Sequence, residues 1–268
     1  MSIIAHISDL HFGTVKAELA QGLLTSLHEV EPDLVVVSGD LTQRARSRQF
    51  HAAKTYLDSL PCPCLVVPGN HDVPLYHVLH RFFQRLAKYQ QYISQDLQPS
   101  FQTRELAVLG VNTARSLTWK NGRVSVEQMQ AAQTYFCNVP NTLVKVLVTH
   151  HPFLPPPEQQ RKTLVGRAKR VLQTIEQCHL DLLLAGHFHM SYAGGTHVVY
   201  TMIDHSILVI QAGTALSSRV RDERNAYNVI TTHPNHVVQL SVRMWDDRQF
   251  VEVRNERYSR QQGQWQVE

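Results

Sequence analysis

The chain has 268 residues, of which 43% are hydrophobic and 18% charged, with a formal net charge of +4. That composition buries a large core and is unlike a disordered chain. Apolar runs such as "LVVV" are too short to cross a bilayer, and no Lys or Arg precedes the first apolar segment, so neither a membrane span nor a secretory signal is expected. In chain order, strands are predicted at 3–8, 33–40, 64–70, 106–113, 144–151 and 181–187. Between them lie amphipathic stretches near 17–30, 46–59, 75–97, 126–137 and 165–178 that read as helices. Ser125, with Gln128 three residues later, forms a capping box at the start of the fourth.

After residue 187 the helical patterns stop. "HVVYTM", "SILVIQAG", "AYNVITTH", "HVVQLSVRMW" and "FVEVRNERY" read as consecutive strands joined by short turns. No linker separates the two parts. The pattern predicts one domain over 1–268, with a ligand-bearing half at 1–190 and a strand-rich half at 191–260. Cys62, Cys64, Cys137 and Cys178 lack the spacing of a disulfide framework or zinc finger and are read as free thiols of a reducing cytoplasm. Two denser basic runs, 161–170 and 217–224, read as a solvated helix face or loop.

The chemistry gathers where the first strands end. One ends in Asp9 and His11, the next in Gly39-Asp40, and another in "GNHD" with Asn70, His71 and Asp72. A fourth ends in His150-His151, the last in "GHFH" with His187 and His189. Ligands of open α/β sheets sit beyond the carboxyl ends of the strands, so the five clusters converge on one crevice. Glycine before Asp40, Asn70 and His187 allows a sharp turn and a close backbone approach. A mixed oxygen and nitrogen set without cysteine suits Mn, Fe or Zn.

The series D-x-H, G-D, G-N-H-D, H and G-H-x-H, running from residue 9 to residue 189, resembles the calcineurin-like metallophosphoesterases. The resemblance implies an α/β fold, a four-layer α/β/β/α sandwich of two mixed sheets with helices outside. It also implies two divalent ions. Asp9, His11, Asp40 and His189 would hold one, and Asp40, Asn70, His150 and His187 the other. Asp40 would bridge them with one oxygen on each. A hydroxide bridging the pair would attack phosphorus. His71 would stabilise charge and protonate the leaving oxygen, with Asp72 orienting it. By the same motif His150 is the ligand of the histidine pair, and His151 turns to a supporting hydrogen bond.

Within the family the chain is most similar to class III cyclic-nucleotide phosphodiesterases, which implies a small phosphoester such as 3',5'-cyclic AMP. A UDP-2,3-diacylglucosamine-type pyrophosphatase, a general phosphomonoesterase or nuclease, and a non-catalytic metal-bound scaffold are the competing readings. Arg44, Arg219 and Arg221 are candidates for the non-reacting part of the substrate. The modest positive charge suits an anionic substrate, and no nucleic-acid module is appended. Peripheral membrane contact and homo-oligomer formation stay open, and the expected location is cytoplasmic.

Overall fold

Strands that are apolar at consecutive positions bury both faces, and they set the architecture. The computed structural model describes residues 1–74, 85–115, 121–156, 164–200, 205–218 and 224–268. Its elements begin with β1 (Ser2–Ile7), α1 (Ala17–Val30), β2 (Leu34–Val37), α2 (Ser47–Leu57), β3 (Cys64–Val66), α3 (Ala87–Tyr92) and β4 (Ser100–Gln102). There follow β5 (Leu106–Gly110), α4 (Val126–Asn138), β6 (Val144–Val148), α5 (Ala168–Ile175) and β7 (Leu182–Ala185). The rest is strand: β8 (Tyr192–Gly195), β9 (Leu208–Gln211), β10 (Ala226–His233), β11 (Val237–Trp245), β12 (Phe250–Gln261) and β13 (Gln264–Val267).

Among the described residues these strands form two mixed sheets, one of seven strands in the order β13-β12-β11-β10-β1-β2-β3 and one of six in the order β4-β5-β6-β7-β9-β8. The runs β1-β2-β3 and β5-β6-β7-β9 are parallel, so their carboxyl ends line one edge of each sheet. Alternate residues divide between layers. Ile4, Leu34 and Val36 pack with Val108, Val146 and Leu184 between the sheets. Ala5, Val35 and Val37 face the other way, against Leu23 and Leu27 of α1 and Phe50 of α2. On the far side, Leu147 and Leu183 meet Met129 and Phe136 of α4 and Leu172 of α5. The result is the expected sandwich with helices outside.

Four features depart from the sequence reading. "HVVY" does not begin a strand: Thr196–Val198 is a 3-10 turn, and Val198 and Val199 are exposed without a sheet partner. The short strands β4, β8 and β13 were not anticipated. In the 75–97 stretch the described helix is only Ala87–Tyr92, and 75–84 lie outside the described residues. Cys137 and Cys178 are joined as a disulfide, because the end of α4 lies beside the turn that follows α5. Cys62 and Cys64 are free, as expected. The pairing removes the support that four free thiols lent to a reducing compartment. No helix among the described residues is long and apolar enough to cross a membrane.

Candidate metal centre

The polar clusters meet beyond the parallel strand ends, and the backbone there is shaped to bring them together. Asp9, His11, Asp40, His187 and His189 all have φ between 49° and 75°. Non-glycine residues rarely adopt this region, which costs ~1–3 kcal/mol each and concentrates at functional sites. Gly39 turns with φ 99°, and a side chain there would also strike the His150 ring at 2.6 Å. Gly69 has an ordinary φ but no space: a Cβ would lie 2.1 Å from Asp40 Oδ1.

Two sets of facing atoms result. Asp9 Oδ1 lies 3.2 Å from His189 Nε2 and 3.5 Å from His11 Nε2, and His11 Nε2 lies 3.9 Å from Asp40 Oδ2. In the other set, His150 Nε2 lies 3.4 Å from Asp40 Oδ2, 3.1 Å from Asn70 Oδ1 and 3.3 Å from His187 Nδ1. Two donors that share a zinc-like ion at about 2.1 Å sit roughly 3–3.5 Å apart, so these spacings fit metal ligation. Asp9 Oδ1 is buried and has no hydrogen-bond donor, whereas Asp9 Oδ2 accepts from the Ser8 hydroxyl and the His187 N–H. An acceptor left bare among imidazole nitrogens is what a cation would satisfy.

The surroundings fix which atom of each ligand faces inward. His150 Nδ1 donates to the Ser38 carbonyl at 2.7 Å, which turns Nε2 toward Asp40, Asn70 and His187. His189 Nδ1 is held 2.7 Å from the Thr214 hydroxyl. Such partners set ring orientation and ligand basicity. The two oxygens of Asp40 are placed differently. Its Oδ1 accepts the His71 N–H at 2.8 Å, and its Oδ2 lies between the two sets, 3.9 Å from His11 Nε2 and 3.4 Å from His150 Nε2.

Burial disfavours charge on every member, and the pairings decide the direction. For Asp40, burial is outweighed by His150, His71 and His11, and the carboxyl lies well below its usual range. For Asp9, burial is likewise outweighed, by His189, His11 and His150, and the carboxyl is lowered. Burial opposes protonation of His150, but Asp40 raises it to about 9. His187, buried and beside His150, falls to about 3. Two carboxylates lie amid five imidazoles, those of His11, His71, His150, His187 and His189, a donor set that could hold a metal ion.

His71 and Asp72 divide differently from the sequence reading. The His71 ring is held by the Gln43 backbone carbonyl, 2.9 Å from Nδ1, and stands edge-on to His11. Asp72 does not orient it. Its buried carboxylate accepts from the N–H groups of Leu41, Thr42 and Gly69 and from the Thr42 hydroxyl, tying two ligand loops together. His151 forms a supporting hydrogen bond, as expected: Nδ1 lies 2.7 Å from the Thr113 hydroxyl. Its Nε2 is buried without a partner, and the ring groups with His150 and His187. Arg44 is exposed, next to Gln43 on the loop that holds His71. Arg219 and Arg221 lie outside the described residues. Gln43, Ser38 and Thr214 were missed. The first two act through backbone carbonyls, which leave no trace in residue type, and a lone threonine carries no motif.

The chain belongs to the calcineurin-like phosphoesterase family, whose profile matches residues 3–191. It is similar to the glycerophosphodiester phosphodiesterase GpdQ of Enterobacter lignolyticus, with 37% identity over 82 residues, covering 26% of this chain and 29% of that protein. The chain thus spans under a third of the first curated relatives it matches. A longer match, 27% identical over 203 residues and 69% of both chains, is to the 3',5'-cyclic adenosine monophosphate phosphodiesterase CpdA of Escherichia coli K12. Among solved structures, purple acid phosphatase PPD1 from yellow lupin has a TM-score of 0.71 at 14% identity, covering 94% of this chain and 52% of that one. At that identity the likeness is one of fold.

Proposed function

We propose that the protein is a binuclear metal-dependent phosphodiesterase acting on a small nucleotide, such as 3',5'-cyclic AMP. The observation that carries this reading is Asp40 Oδ2, which faces His11 of one donor set and His150 of the other, with Asn70 Oδ1 on the same His150 nitrogen. Asp9, His11, Asp40 and His189 would hold one ion, and Asp40, Asn70, His150 and His187 the second. The cyclic-nucleotide and glycerophosphodiester relatives support diester chemistry.

Two divalent ions in such a site lower the pKa of water and neutralise phosphate charge. The chain's own part is positional. Gln43 accepts the Nδ1 proton of His71, so Nε2 is the nitrogen that gives a proton to the departing alkoxide. Asp72 keeps the loops of Asp40 and Asn70 in register through its four hydrogen bonds. Arg44, beside Gln43, would steady the part of the substrate that does not react.

The test is a panel of initial rates on Mn-, Fe- or Zn-loaded protein, with elemental analysis. The substrates are bis-p-nitrophenyl phosphate, p-nitrophenyl phosphate, cyclic nucleotides and UDP-2,3-diacylglucosamine. Diester far above monoester, with about two ions per chain, is expected. Activity confined to the UDP-lipid would reassign the protein as a pyrophosphatase. Two bound ions without turnover would make it a scaffold.

A further inference from the structure

The basic run 161–170 does not behave as one solvated face. Lys169 and Arg170 are exposed on α5, but Arg167 before them has φ 71° and lines a cavity of about 290 Å³ together with Arg115, Arg123 and Glu127. A left-handed arginine persists only where its surroundings impose it. Here Gly166 bridges to Arg123 as a parallel pair, and an Arg167 amine donates to the Val124 carbonyl at 3.1 Å.

The cavity adjoins the metal centre. Arg123 N–H donates to the Thr113 carbonyl, and the Thr113 hydroxyl holds His151. Val165 N–H donates to the carbonyl of Pro152, two residues from His150. Gly122 packs on the His151 ring so closely that a Cβ would lie 2.3 Å from Nδ1.

Three guanidinium groups around one cavity repel each other unless an anion joins them. Glu127 forms no ion pair with them among the described residues, and the Ser125 hydroxyl is the chief influence holding its carboxyl low. Burial and then Arg85 hold Arg115 below its ordinary value, with Arg167 and Arg123 adding to the effect against Glu127. Arg115 spends its Nε and one amine on the Arg123 carbonyl and Gln128, and Arg167 spends one amine. Among the described residues, more than half of the N–H donors of this pair are thus left over, in the forked geometry that suits phosphate.

We propose that the Arg115–Arg123–Arg167 cavity is a phosphate-binding subsite beside the metal centre, selecting substrates that carry a second phosphoryl group. The selection rests on the phosphodiesterase reading. The binding does not, so the two are tested separately.

Calorimetric titration of the metal-loaded protein with inorganic phosphate should resolve two classes of site. Arg167→Ala and Arg123→Ala should weaken one class about 10–100-fold, the usual worth of charge-assisted hydrogen bonds, with metal content and circular dichroism retained. Asp40→Ala should remove the other class. The exposed Arg123 side chain guards against a result due to misfolding. Unchanged phosphate binding in both arginine variants overturns the proposal.

The source of the phosphate is read from kcat/KM for the dinucleotides pApA and ApA. Their ratio should be about ten or more and fall toward one in Arg167→Ala, and it should hold in Lys169→Ala. A ratio near one in the unaltered protein overturns the selection and leaves a free-phosphate site. If neither dinucleotide is hydrolysed, the selection is overturned; the titration still decides the cavity, and the cyclic-nucleotide panel decides the phosphodiesterase reading.

Discussion

The Gln43 carbonyl lies 2.9 Å from Nδ1 of His71 and fixes the ring that sequence had assigned to Asp72. A carbonyl only accepts, so Nδ1 carries a proton, and proton transfer to substrate falls to Nε2. If His71 is the acid, His71→Asn should keep both metals and lower kcat on a cyclic nucleotide by about 10²–10⁴-fold. A p-nitrophenolate ester needs little protonation and should lose much less. Equal losses on both substrates would exclude the acid role.

Asp72 is then a positioning residue, and its loss should be felt in stability. Each carboxylate oxygen accepts two hydrogen bonds from the loops that carry Asp40 and Asn70. Asp72→Asn turns an NH2 group toward two of those buried donors, at a cost of about 2–4 kcal/mol. The melting temperature should fall by roughly 5–15 °C. A variant with unchanged melting and a tenfold lower kcat would restore the orienting role.

Much of this was legible because pattern and packing agree. Helix α1 matches its predicted span at both ends, and α4 starts at the predicted capping box of Ser125 and Gln128. The ligand clusters could be found because polar residues interrupt buried apolar strands. Those same residues made the predicted strands too long: β2 stops at Val37, where the chain turns through Gly39 toward Asp40. Strand β8, "YAGG", carries two glycines, and β13 is half polar; each is held by its neighbour more than by its own propensity. The Cys137–Cys178 pair is 41 residues apart, and only the contact between the helical segments brings it together.

We infer that residues 1–268 form one domain, because the second half completes the first sheet. Strand β10 pairs antiparallel with β1, Ile230 opposite Ile4, and both side chains enter the layer between the sheets. A cut near residue 190 should therefore release no stable fragment in limited proteolysis. Two folded fragments that separate on a sizing column would overturn this.

His6 makes stability depend on pH. It is fully buried on β1, with Nε2 2.9 Å from the Ser38 hydroxyl, and burial lowers its pKa from 6.5 to about 3, against a smaller opposing effect of Asp9. The unfolded chain takes up the proton first. The contribution is complete above pH 6.5 and is lost as pH falls toward 3, about 3 kcal/mol of it by pH 4. Urea unfolding midpoints of His6→Gln should fall less between pH 7 and pH 4 than those of the unaltered protein. Parallel pH profiles would exclude His6 as a source of the dependence.

The last prediction concerns a residue that ligates nothing. Gly69 precedes the ligand Asn70, and a methyl group on it would lie 2.1 Å from Asp40 Oδ1 and 2.3 Å from the Asp40 backbone nitrogen. Real Cβ contacts are never that short, so either the Asp40 loop or the "GNHD" turn must move. Both are tied to Asp72, whose carboxylate also accepts the Gly69 N–H, and the shift cannot be absorbed without breaking that register. Donor spacing in a metal site tolerates only a few tenths of an ångström, and loss of supporting contacts costs about 10–100-fold in metal affinity. Gly69→Ala should therefore lose metal by elemental analysis although all seven proposed ligands remain, with near-native circular dichroism. Full occupancy and unaltered metal affinity in Gly69→Ala would show that the ligand loops are not held as closely as their contacts imply.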